Sequence, residues 1–78
     1  MSDPQAEKAI RKTMTRLAAE GKPVNSTSVP SVSSAQLLVY GGSRIDSHVR
    51  IAKEIEDMKR RGDLIVPDGP SDWQLTKP

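Results

Sequence analysis

The chain has 78 residues, with 12 Lys and Arg against 10 Asp and Glu for a net charge of +2, no cysteine, one histidine, and only Tyr40 and Trp73 as aromatic residues. Disulfides and thiolate metal sites are therefore excluded, and a lone histidine supplies no structural zinc site. At this length one small domain spanning 1–78 is expected, with a core of aliphatic residues and methionine.

The first predicted element is a helix over about 4–20. Asp3 is a good N-cap, Pro4 suits the first helical position, and Gln5 and Glu7 occupy the first turn. Ala6, Ile10, either Thr13 or Met14, and Leu17 form its buried stripe, while Lys8, Arg11, Lys12 and Arg16 lie largely off it. Gly21 suits the left-handed position after the last turn, and Pro23 prevents resumption.

Residues 22–34 are rich in Ser, Thr and Pro, which compete with helical backbone bonding. Val24-Asn25-Ser26 reads as a short strand that would complete a small sheet. A second helix starts either at Ser26, with Pro30 tolerated early, or at Ser31. The later start is favoured and places Val32, Ala35, Leu38 and Val39 on one face. Gly41 and Gly42 end this helix and permit a tight turn.

The third helix opens with Ser43 as N-cap and Asp46 as a short capping-box acid. Ile45, Val49, Ala52, Ile55 and Met58 define its expected buried stripe. Lys59, Arg60 and Arg61 fill the last turn, where they complement the helix dipole or clamp a phosphate, and Gly62 stops the helix. Leu64-Ile65-Val66 and Trp73-Gln74-Leu75 flank a Pro/Gly/Asp turn and read as a hairpin, with Trp73 anchoring it in the core. The fold class is thus mainly α (α+β): three helices in the order of a winged helix-turn-helix, closed by a small C-terminal β-hairpin.

Charge is unevenly spread. Residues 1–42 carry five basic against three acidic residues, 43–61 carry six against four, and 62–78 carry one against three. A basic face must therefore lie on the helices, and the wing is acidic. No apolar run approaches the ~18 residues of a membrane span and no signal-type segment follows the polar start, so a cytoplasmic protein with no membrane partner is expected.

A helix-turn-helix reads double-stranded DNA by seating its second helix in the major groove, where the leading side chains reach base edges. Arg44, Ser47, His48 and Arg50 are the candidates for that role here. Lys22, Asn25, Ser26 and Tyr40 are candidates for backbone phosphates, Tyr40 being equally suited to core packing. A homodimer, through the first helix or the tail after the hairpin, would enlarge a small interface. The alternative is a protein-binding adaptor of the same fold, favoured by the wing acids Asp63, Asp68 and Asp72. No paired-carboxylate, nucleophile–base or metal-ligand pattern occurs, so no enzyme, cofactor, metal or small-molecule substrate is expected.

Met58-Lys59-Arg60-Arg61-Gly62-Asp63-Leu64-Ile65, followed by Trp73-Gln74-Leu75-Thr76, resembles the end of many bacterial winged-helix regulators. More narrowly, Ile10, Leu17, Gly21, Gly42, Ser43 and Val49 match the layout of the N-terminal DNA-binding domain of the KfrA plasmid proteins, to which the chain is similar. Residues 26–40 are longer and more serine-rich than that family's second helix. The resemblance implies sequence-selective binding to duplex DNA, with the helix from Ser43 as the reader, in a transcriptional, plasmid or phage regulator.

Overall fold

Asp3 caps the first helix as its position predicts, its carboxylate accepting the Ala6 N–H at 3.2 Å. The computed structural model describes residues 3–76, so residues 1–2 and 77–78 of the expected domain lie outside the described residues. Helix α1 (Pro4–Ala19) buries Ala6, Ala9, Ile10, Met14 and Leu17 together with Thr13. Thr13 and Met14 are thus both inside. Thr13 is tolerated there because its hydroxyl accepts from Gln36 Nε2 at 2.9 Å. Gly21, at φ +70°, turns the chain out while its N–H and that of Lys22 bond the carbonyls of Ala18 and Leu17.

Helix α2 spans Ser28–Leu37, which corrects the favoured start at Ser31. Asn25 accounts for the difference. Its Oδ1 accepts the Thr27 and Ser28 N–H groups at 2.9 Å each, and its carbonyl accepts the Val29 N–H at 3.0 Å. Helical bonding is therefore under way before Pro30, which falls in the first turn, where proline is tolerated. The earlier start also changes the buried face. Val29, Ser33, Ser34 and Leu37 point inward, while Ala35 is exposed and Val39 is 84% exposed. A single 3₁₀ turn, Leu38–Tyr40, then leads into Gly41 and Gly42, both with positive φ.

Helix α3 (Arg44–Arg61) starts and stops as expected: Ser43 Oγ accepts the Asp46 N–H at 3.0 Å, and Gly62 is left-handed at φ +80°. Its rotation differs from expectation. Ser47, Ile51, Glu54, Ile55 and Met58 face inward, whereas Ile45 is 76% and Val49 47% exposed. Two strands, β1 (Leu64–Ile65) and β2 (Gln74–Leu75), pair antiparallel with Leu64 opposite Leu75. Val24 makes no strand, yet its carbonyl accepts the Trp73 N–H at 2.8 Å and its own N–H bonds Asp72 at 3.2 Å. One such bridge is what remains of the expected third strand. The architecture is accordingly mainly α with a small C-terminal hairpin, and one core, closed by Leu64 and edged by Val66, Trp73 and Leu75, lies between the helices.

Candidate nucleic-acid interface

At 3.6 residues per turn, α3 presents three sides, and each has its own chemistry. The side toward α1 is held by ion pairs. Arg50 forks onto Asp3, with Nε and Nη2 at 2.7 and 2.9 Å from its two carboxylate oxygens, and Nη2 also reaches Gln5 at 3.0 Å. That hydrogen bond from Arg50 is the main cause holding the Asp3 carboxyl below the usual range, and Asp3 in turn raises Arg50. One turn further, Glu54 is 1% exposed and accepts the Asp3 N–H at 2.8 Å and Arg61 Nη2 at 3.0 Å. Arg61 also meets Glu7 at 3.0 Å and Asp63 at 3.1 Å, and Arg11 joins Glu7 at 3.0 Å. Hydrogen bonds to Glu54 and Asp63 raise Arg61 above its ordinary value. The network joins α1, α3 and the entry to β1, so Arg61 completes a fold contact.

The side toward α2 is polar at its leading end and apolar further on. His48 is exposed, with Nε2 at 3.5 Å from Ser34 Oγ, which itself donates to the Ser31 carbonyl at 3.0 Å. Beyond it, Ala52, Ile55 and Lys59 form a groove of about 320 Å³ with Ser26, Pro30 and Trp73. Ser26, at the approach to α2, therefore shares an edge with α3.

The third side is exposed among the described residues. Ile45, Val49 and Lys53 follow one another at four-residue spacing, with Arg44 at the leading end, and all four are exposed. Among the described residues Arg44 and Lys53 make no ion pair. Acids Asp46 and Glu56 stand beside them, and Glu56 is taken by Lys59 at 3.7 Å.

The candidate residues thus separate. Arg44 and His48 stand at the open front of α3. Ser47 is 2% exposed and lies on the inward face, so it is corrected from groove contact to core residue. Arg50 is likewise corrected, because its guanidinium is occupied by Asp3 and Gln5. Asn25 is turned to the backbone ahead of α2, its Oδ1 accepting the Thr27 and Ser28 N–H groups, and Ser26 is exposed beside it. Lys22 is exposed and 3.3 Å from Glu20, whose carboxyl it holds below the usual range. Tyr40 is 56% exposed, which excludes the core alternative. Ile45 and Val49, expected in the buried stripe, are instead outward residues in line with Lys53 at four-residue spacing.

The C-terminal hairpin region is also less acidic than its composition suggests. Asp63 is buried against Arg61 and Arg11, and Asp72 accepts a backbone N–H, while Asp68 is exposed. Among the described residues there is no metal-binding cluster, and no helix is long and apolar enough to cross a membrane. Comparison with protein-family models, with curated proteins and with solved structures returned no match.

Proposed function

We propose that the protein binds double-stranded DNA as a winged helix-turn-helix regulator, with the open side of α3 in the major groove. The observation that carries this reading is the front half of α3. It is a capped helix end on which Arg44, His48 and Lys53 are all exposed. Arg44 has the fork that matches guanine O6 and N7, and His48 offers a ring nitrogen to a base or a phosphate. Ile45 and Val49 between them suit thymine methyl groups, the apolar feature of the groove. Lys22 and Ser26, on the approach to α2, are placed for backbone phosphates. Internal pairing of Asp63 removes part of the repulsion that an acidic wing would impose.

A second reading, an adaptor that binds another protein, is favoured by the apolar exposure of Ile45 and Val39. Salt separates the two. Groove binding with phosphate contacts weakens steeply as salt rises, by about 0.9 in log–log slope per phosphate neutralised, whereas an apolar interface does not. Titration of the protein with random-sequence duplex at low salt should shift the amides of Arg44, Ile45, His48 and Lys53. Absence of any shift there would exclude the DNA reading. Selection from random duplexes then gives the preferred sequence and the symmetry of its half-sites.

A further inference from the structure

Three cations of α1 stay outside the network with α3. Lys8, Lys12 and Arg16 recur every four residues, so they form a row with about 6 Å of axial rise between neighbours and about 12 Å end to end. With Gln36, Val39 and Tyr40 they line a cleft of about 240 Å³ where α1 meets the end of α2 and its 3₁₀ turn. Gln36 is fixed there by its bond to Thr13, so the wall of the cleft is set by the core. Tyr40 brings an exposed phenol to the same cleft.

The row is poorly neutralised. Lys8 and Lys12 are exposed and make no ion pair among the described residues. Glu7, the acid on the neighbouring turn, is committed to Arg11 and Arg61. Arg16 meets Glu20 at 3.4 Å with 63% of its side chain exposed, and Lys22 competes for the same carboxylate at 3.3 Å. Nothing in the packing requires these cations to stand together, because none of the three contributes to the core.

We propose that this cleft binds a run of linked phosphates, with Lys8, Lys12 and Arg16 on successive phosphate oxygens and the Tyr40 hydroxyl as a further donor. The 3.4 Å axial rise per charge of one strand combines with the turn of the helix to set neighbouring phosphates roughly 7 Å apart, so three cations at about 6 Å steps match three successive phosphates. The nucleic-acid backbone is the source that this match favours. That choice rests on the DNA reading above, whereas the anion site itself does not. The site differs from the open side of α3 in residues and in role: it grips backbone and reads no base.

The test has two arms. In the first, sodium tripolyphosphate is titrated into the labelled protein and amide shifts are followed. Shifts centred on Lys8, Lys12, Arg16 and Tyr40, lost in a Lys8→Gln/Lys12→Gln/Arg16→Gln variant of unchanged circular dichroism, are expected. Their absence overturns the site. In the second, a fluorescein-labelled 20-base-pair duplex is bound at 50–300 mM salt by the wild type, by that triple variant and by Arg44→Gln/Lys53→Gln. The triple variant should lower the log–log salt slope by about 2–3 and leave sequence discrimination unchanged. The double variant should reduce discrimination. If the wild type binds duplex and the triple variant keeps its slope, the nucleic-acid source is overturned while the α3 reading stands. If the wild type binds no duplex but tripolyphosphate shifts the cleft, the α3 reading fails and a free polyphosphate is the source.

Discussion

The two sides of α3 are built from the same residue types and do opposite things. Toward α1, Arg50 and Arg61 are spent on Asp3, Glu7, Glu54 and Asp63, and Ile51 is fully buried. On the open side, Arg44 and Lys53 have no ionic partner among the described residues, and Ile45 is 76% exposed. An arginine on this helix is therefore held within the fold or left exposed according to which way it points. Composition does not distinguish them, because the total charge is the same whichever cations are neutralised internally.

The sharpest test of that division compares two isoleucines. Ile51→Ala should cost about 3 kcal/mol, the usual range for a fully enclosed aliphatic side chain. Ile45→Ala should stay within about 0.5 kcal/mol. Urea unfolding of the two variants measures both, and a larger loss at Ile45 than at Ile51 would mean that α3 is rotated as the sequence first suggests.

The next comparison sets Arg50 against Arg44. Arg44→Gln should leave the unfolding midpoint unchanged and lower the salt slope of duplex binding by about 1. Arg50→Gln should do the reverse, lowering the midpoint and leaving the slope alone. A drop in slope from Arg50→Gln would show that its fork opens for DNA.

Acid should dissolve the closed side selectively. The carboxyl of Asp3 is lowered in the folded state, chiefly by Arg50. Its contribution to stability is therefore complete above the unfolded value of about 3.9 and is lost as pH falls through the lower folded value. Asp3→Asn keeps a good N-cap while removing the charge. Its stability deficit relative to wild type should be present at pH 6 and shrink at pH values below about 4. A deficit that did not change with pH would assign it to the cap alone.

The smallest effect is expected at Ser33, whose hydroxyl is buried without a hydrogen-bond partner among the described residues. Ser33→Ala removes a desolvated group and should be neutral or stabilising by about 1 kcal/mol or less. A clear loss would reveal a partner for that hydroxyl.

Much of this molecule is written in local chemistry. Asp3-Pro4, Gly21, Ser43 and Gly62 fix the ends of α1 and α3 through short-range backbone bonds, and those signals act within a turn of the residue that carries them. The order of three helices and a hairpin follows from them. The start of α2 was less legible because Asn25 organises the turn ahead of it through bonds that the serine-rich composition hides. The facing of α3 was legible in its second half, where Ile55 and Met58 are buried as expected, and not in its first. Two stripes compete on that helix, Ile45–Val49–Ala52 and Ser47–Ile51–Glu54, and the second contains a serine and a carboxylate that look like surface. Burial of Glu54 becomes tolerable only because Arg61 and the Asp3 N–H, residues 7 and 51 positions away, converge on it. That convergence exists only after the helices have packed. The same event assigns Arg50 to the fold and leaves Arg44 outside: helix ends are local, whereas the facing of a helix depends on every partner that surrounds it.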